Sequence, residues 1–370
     1  MTGLEKAIKD AQDAYYNGVP LMSDTEFDAL WDKLKREHPD SELLQKVGED
    51  HTDGFKKVKH RIIMGSQEKA NTAEEMDKWL LSINKKLVLA DFKMDGSSLA
   101  LYYDHGDLIQ AVSRGDGEYG DEVSSNVLMM NHVVRHLKDT NYTVCVRGEV
   151  LISRTNKEKY FPEKANCRNC GNGIFKHKDG KDCDKLDVVV YDAQADDGSN
   201  YFGTQEKMQK WLEEQGFKVA PYVMFKNPTG QDCIDYINSI FDKFEELEYD
   251  IDGIVWKQNE IDMDDFQTNY RPHQTRALKP ARTYATSILR DVEWSCSNGT
   301  YTPVAIFDPV NLLGATVQRA SLSNVDLMEV MGIEIGHTIE ITRTGEIIPK
   351  ITKDLTTGIS ILKYYENCKD

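Results

Sequence analysis

The chain has 370 residues, which at about 150 residues per domain suggests two or three domains. Apolar residues make up 40%, and no apolar run approaches the roughly 18 residues that a membrane span needs, so fibrous, disordered and helical membrane-spanning classes are excluded. Lys and Arg number 45 against 62 Asp and Glu; the net charge of −17 argues against a protein that simply coats nucleic acid, because phosphate binding needs clustered cations.

Residues 1–45 read as a helical hairpin. Thr2-x-x-Glu5 and Ser23-x-x-Glu26 are capping-box patterns, and Phe27, Leu30, Trp31 and Leu34 then fall on one apolar face. Asn17-Gly18-Val19-Pro20 is a turn signal, and Pro39 ends the second helix. This N-terminus has no charged patch followed by an apolar core, as a secretory signal would. From residue 87 the pattern becomes strand-like: Leu87 to Phe92, Leu99 to Tyr103 and Leu108 to Ser113, the last two joined by the hairpin signal Asp104-His105-Gly106. Further strands are expected at Thr143–Val146, Asp187–Tyr191 and Gly253–Gln258, and helices at Gln205–Gly216 and Asp232–Leu247. Strands and helices without strict alternation predict an α+β fold with antiparallel sheets. Beyond residue 285 the short β-branched segments Thr302–Phe307, Ala315–Arg319, Thr338–Thr342 and Glu346–Ile351 predict a small barrel of the oligonucleotide/oligosaccharide-binding (OB) type, with a helix near Asn324–Met331.

Lys93-Met94-Asp95-Gly96 closes the first of these strands. A lysine there can be a nucleophile once its amine is neutral, and Asp-Gly makes a tight turn that lets backbone approach a ligand. Alone, the motif is more often a surface Lys before a hairpin. Its company sharpens it. Arg114-Gly115-Asp116-Gly117, Arg147-Gly148-Glu149, Asp252-Gly253 with Lys257, and then Lys279 all sit at predicted strand edges. A guanidinium fork and ammonium groups suit phosphate; carboxylates suit ribose hydroxyls or a metal.

These segments resemble those of the bacterial NAD+-dependent DNA ligases. Phe92-Lys93-Met94-Asp95-Gly96 is similar to the nucleophile motif of covalent nucleotidyltransferases. Ser113 to Asp121 with Asn126, Val146 to Val150, and Asp252 to Val255 resemble later segments of that family. Asp291 to Glu293, Tyr301 to Ala305, and Gly345 to Pro349 resemble parts of its OB domain. The resemblance implies an NMN-binding helical domain over residues 1–60, an adenylation domain over 61–285 and an OB domain over 286–370. It implies that Lys93 attacks the α-phosphate of NAD+ to form lysyl-AMP, with AMP then passed to the 5′-phosphate of nicked duplex DNA in replication and repair. Tyr15, Tyr16, Asp24, Phe27 and Asp28 would contact NMN, with Phe27 standing where the family usually has Tyr. Ser66 and Gln67 would line the pocket, and Asp91, where the family usually has Glu, would meet adenine. Arg114 and Glu149 would hold ribose and neighbouring groups, Tyr191 would stack on the base, and Lys257 and Lys279 would neutralise the α-phosphate. Asp95 and Asp252 would be the carboxylates for Mg²⁺.

Cys167, Cys170 and Cys183 with His177 have zinc-like spacing, but Ala165 to Gly173 overlies a nucleotide-pocket loop of that family, which makes Arg168 a pocket residue. The seven Cys, an odd number, fit a reducing, cytoplasmic setting. The family usually continues past the OB domain into zinc, helix-hairpin-helix and BRCT modules. Three expectations follow: a fragment, a minimal ligase that seals nicks poorly, or one subunit whose partner polypeptide completes the ligase, with the first and third favoured. Two other readings are an ATP-using ligase or capping enzyme, against which the N-terminal helices argue, and a non-catalytic OB-type binding module, against which the acidity argues.

Overall fold

In the computed structural model, the described residues are 3–17, 24–38, 41, 43, 55–164, 166–241, 243–280, 283–297, 300–312, 315–322, 325–343 and 349–360. They group into two compact units: residues 50–280, and residues 1–49 with 281–370. No helix among them is long and apolar enough to cross a membrane.

Helices α1 (Gly3–Asn17) and α2 (Asp24–Glu37) pack through Ile8, Ala11, Leu30 and Leu34, the i, i+3 and i, i+4 positions of each apolar face. Phe27 joins this small core and stacks on Trp31 with ring centroids 5.5 Å apart. The turn at residues 18–23 lies outside the described residues.

The 50–280 unit contains β1 (Lys57–Lys59), β2 (Lys69–Ala70), α3 (Ala73–Ser82), β3 (Val88–Met94), β4 (Ser97–Asp104), β5 (Asp107–Ser113), β6 (Tyr119–Asp121) and α4 (Ser124–Val127). It continues through β7 (Val144–Leu151), α5 (Arg154–Tyr160), α6 (Cys167–Phe175), β8 (Asp187–Ala195), α7 (Gln205–Gln215), β9 (Tyr222–Phe225), α8 (Gly230–Phe241), β10 (Ile251–Gln258), α9 (Met263–Thr268) and β11 (Thr275–Leu278). One sheet has the order β2-β11-β10-β3-β9 and a second β5-β4-β7-β8, with a short β1-β6 pair. All pairings are antiparallel except β11 with β2. The first sheet buries Val88, Ala90, Ile254 and Trp256 in one core with Met76, Trp79 and Leu80 of α3 and Cys233, Ile237 and Phe241 of α8. The second buries Leu99, Leu101, Val144, Val146, Val188 and Val190 with side chains of α6 and α7.

Two expectations are corrected. The helix expected over Asp232–Leu247 ends at Phe241; a separate short turn, Phe244–Glu246, carries the apolar series on, and Phe244 stacks on Phe241. The strand expected over Thr143–Val146 runs on to Leu151, so Arg147 and Glu149 lie inside a central strand and not beyond its end.

In the other unit, β12 (Thr283–Ser297), β13 (Thr300–Leu312), β14 (Ala315–Ser321), β15 (Thr338–Arg343) and β16 (Lys350–Asp354) close a barrel of order β12-β13-β14-β16-β15. Register shifts at Leu289/Asp291 and Ile306/Val310 bend the two long strands so that each pairs with both neighbours. Leu289, Phe307, Ile339, Ile341 and Ile351 fill the interior with Leu327 and Met331 of helix α10 (Val325–Met331). Residues 346–348 of the strand expected over Glu346–Ile351 lie outside the described residues.

Candidate active site

Alternation along the strands separates chemistry from packing. Leu89, Asp91 and Lys93 share the face of β3 opposite Val88 and Ala90, and their β10 partners in register are Lys257, Val255 and Gly253. In the second sheet Ser98 and Glu149 are direct partners on β4 and β7, on the face opposite Leu99 and Leu101.

Lys93 Nζ donates to Asp252 Oδ2 at 2.7 Å, and Lys279 Nζ lies 3.0 Å from Oδ1 of the same carboxylate. Burial opposes charge on Asp252, but Lys279 and then Lys93 outweigh it and hold the carboxyl well below the usual range. The β3/β10 register shifts between Ile251 and Gly253, which sets Asp252 at the break in the ladder. Only glycine fits next: at φ +153°, a Cβ on residue 253 would run into the Leu278 carbonyl oxygen, one residue before Lys279.

Lys257 occupies a different place from Lys279. Its Nζ donates to Asp91 Oδ2 at 2.6 Å and to the Tyr191 carbonyl of β8 at 3.0 Å, and lies 5.5 Å from the Tyr191 ring centroid. Both Asp91 and Lys257 are buried. Burial raises the Asp91 carboxyl more than Lys257 lowers it, and Asp91 Oδ1 has no protein partner.

Glu149 Oε1 accepts from Ser98 Oγ at 2.8 Å, and Oε2 is buried without a protein partner. Burial pushes this carboxyl up to about 7, against the lowering pull of the Ser98 hydrogen bond and of Lys93, Arg168 and Arg114. Arg114 Nη2 donates to the Tyr270 hydroxyl at 3.3 Å, and the Ser66 backbone N–H donates to the Tyr270 carbonyl at 2.8 Å. Gln67 is half-buried next to Ser66. Arg168 pairs with Asp95, and Asn172 accepts from Ser97, so α6 grips the turn that follows Lys93.

The segment holding Arg168 is the helix α6 and not the expected loop; Asn166 caps it by accepting from the Asn169 N–H. Cys167, Cys170 and Cys183 are buried in the apolar core of the second sheet, and burial pushes the Cys167 thiol up to about 12 and Cys183 to about 11. Among the described residues no three His, Cys, Asp or Glu side chains converge on a metal-binding point. The backbone of Tyr15 and Tyr16 lies in the last turn of α1, and Asp24 and Asp28 begin α2. The side chains of these four lie outside the described residues.

The structure adds Ser98, Asn172 and Tyr270 to the site. Ser98 carried a faint signal, five residues after Lys93 on the next strand. Asn172 and Tyr270 carried none, since their places follow from how α6 and the 269–274 loop fold back.

A polar face with Lys93, Asp252, Lys279 and Glu149, on antiparallel sheets and in a chain that also builds a closed five-stranded barrel, fits one class: an adenylation domain of the nucleotidyltransferase type with an OB domain. Two family models match in that order, the NAD-dependent DNA ligase adenylation domain over residues 52–279 and the NAD-dependent DNA ligase OB-fold domain over residues 286–358. The chain belongs to the NAD-dependent DNA ligase family. Proteins named DNA ligase from Treponema denticola and Treponema pallidum are 40% and 38% identical to it. The first match covers 99% of this chain and 59% of the relative; the second covers 96% and 44%. One from Acetivibrio thermocellus is 32% identical over 91% of this chain and 54% of its own length. The chain thus spans about half the length of these relatives.

Proposed function

We propose that this chain takes AMP from NAD+ onto Lys93, passes it to the 5′-phosphate of nicked duplex DNA, and so takes part in NAD+-dependent nick sealing. The observation that supports this most is the shared carboxylate of Asp252, which holds Lys93 and Lys279 together at the broken end of the β3/β10 ladder. In the first step the neutral Lys93 amine forms a bond to the α-phosphorus. The bond from that phosphorus to the bridging oxygen breaks, NMN leaves with the electron pair, and Nζ sheds one proton to water as the phosphoramidate forms. Asp252 fixes Nζ, and Lys279 beside it meets the charge that builds on the phosphoryl oxygens.

The other roles follow the contacts. Glu149 Oε2 accepts from a ribose hydroxyl, Arg114 holds the adjoining group, and Ser66 and Gln67 line the pocket. Lys257 pairs with Asp91 beside Tyr191, which supports a place for its ammonium at the adenine end of the nucleotide, next to the α-phosphate role that the resemblance implies. Asp91 is one methylene shorter than Glu and reaches Lys257 directly. The α1–α2 segment, with Tyr15, Tyr16, Asp24, Phe27 and Asp28, takes NMN. Phe27 does so by shape, since its ring packs on Trp31.

Asp95 and Asp252 each pair with cations, Arg168 for the first and Lys93 with Lys279 for the second. Among the described residues these two carboxylates alone therefore make no strong Mg²⁺ site, and a Mg²⁺ ion would be held mainly by the substrate's phosphate oxygens.

Nick sealing tests the reading. With a singly nicked duplex the chain alone is expected to seal weakly with NAD+ and not at all with ATP; sealing with ATP alone overturns it. The net charge of −17 supports weak DNA holding and a second polypeptide that completes sealing. Robust sealing by this chain alone at physiological salt removes that partner.

A further inference from the structure

We propose that Ser98 is a positioning residue for the nucleotide: its hydroxyl fixes the Glu149 carboxylate while its carbonyl fixes the Arg114 backbone, so one strand position aligns two groups of the site. The inference rests on the adenylation reading above and goes beyond it, because it gives Ser98 a role that acts through Glu149 and Arg114.

The register makes the arrangement. Ser98 and Glu149 are cross-strand partners of β4 and β7, so their side chains leave the sheet side by side on the same face. Ser98 Oγ donates to Oε1 at 2.8 Å. On the other side of β4 the ladder with β5 ends at Leu99–Ser113, and one residue further the Arg114 N–H donates to the Ser98 carbonyl at 3.1 Å. Ser98 therefore links three chain segments: the strand that follows the nucleophile turn, the strand of Glu149, and the start of the Arg114 turn.

The hydroxyl also decides what Glu149 has left to offer. With Oε1 occupied, Oε2 is the buried acceptor without a protein partner, the oxygen to which a sugar hydroxyl can donate. The charged and titratable groups facing Glu149 are Lys93 of β3, Arg168 of α6, Arg114 after β5 and Tyr191 of β8. Among the described residues the hydrogen bond that Glu149 accepts comes from Ser98, which supplies the short-range bond that favours the ionised, correctly turned carboxylate.

The test is the rate of AMP transfer from NAD+ to Lys93 against pH, for wild type, Ser98→Ala and Ser98→Thr, with a melting curve for each. Ser98→Ala leaves the backbone bond to Arg114 in place and removes only the hydroxyl. It is expected to move the midpoint of the acid limb up by about one pH unit, the loss of one hydrogen bond to a charged group. The rate near pH 7 then falls several-fold and recovers at higher pH. Ser98→Thr keeps the hydroxyl and is expected to keep the wild-type midpoint. An unchanged midpoint in Ser98→Ala, an even loss at every pH, or a Thr variant shifted as far as Ala overturns the inference. No transfer in wild type overturns the adenylation reading and the inference with it. An adduct with identical pH profiles in all three overturns the inference alone.

Discussion

Asp252→Asn removes one negative charge from between two ammonium groups and changes almost nothing in shape. Asp252 accepts from Lys93 at 2.7 Å and faces Lys279 at 3.0 Å, with side-chain exposures of 19% for Asp252, 28% for Lys93 and 17% for Lys279. Breaking a buried pair by removing one partner costs about 3–5 kcal/mol; the residual exposure here puts the expected loss at about 2–3 kcal/mol. For a unit of this size that lowers Tm by roughly 5–10 °C, measured by calorimetry or circular dichroism. The sign with pH is fixed by the depressed carboxyl. Its stabilisation is fully present above the unfolded value near ~3.9 and fades as pH falls through the lower folded value. The gap between wild type and Asp252→Asn is therefore expected to persist at pH 5–8 and close only in strong acid. Transfer of AMP from NAD+ to Lys93 is expected to fall by about 10²-fold, because the nucleophile loses its anchor. A variant with wild-type Tm and wild-type transfer refutes the reasoning that Asp252 organises the centre.

Three further outcomes follow from the same contacts. Glu149→Gln removes a carboxyl pushed up to about 7; such a group lowers stability as pH rises from its unfolded value near ~4.3 to about 7, so the variant should gain about 2 kcal/mol over wild type across that window in urea titrations while losing NAD+ binding. Lys257→Met strands the buried Asp91 and should cost about 3–5 kcal/mol, whereas adding Asp91→Asn should restore much of the stability and none of the adenylation, read as a double-mutant cycle. Gly253→Ala puts a Cβ against the Leu278 carbonyl and should lower stability by about 1–3 kcal/mol together with AMP transfer, because it displaces the strand that ends one residue before Lys279; an unchanged Tm would show that β11 yields freely.

The sequence made the polar residues of the site visible because they stand at strand positions where period-2 alternation puts an acid or base on one face and an aliphatic residue on the other. Lys93, Asp91 and Lys257 are readable this way against Val88, Ala90 and Trp256. What alternation does not specify is which partner each charge chooses. Lys257 and Lys279 both read as phosphate cations, and only the pairing of β10 with β3 and β11 separates them, leaving Asp91 to one and Asp252 to the other. The sequence places Arg147 and Glu149 at a strand edge because Gly148 weakens the strand signal there, whereas burial in a central strand overrides that local preference. The helix of Arg168 was missed because Cys-Arg-Asn-Cys-Gly-Asn-Gly has weak helix propensity; packing of Cys167, Cys170, Ile174 and Phe175 into the core supplies what propensity lacks. The barrel was legible in its short strands and less so in β12, whose length becomes apparent only with its bulge.

The measurement that bears most directly on the whole account is covalent labelling with adenine-labelled NAD+, followed by mapping of the modified peptide. The account predicts one AMP on Lys93, released NMN in equal amount, no label from ATP, and no label on Lys93→Ala. Label acquired from ATP and not NAD+, or label retained by Lys93→Ala, would contradict it.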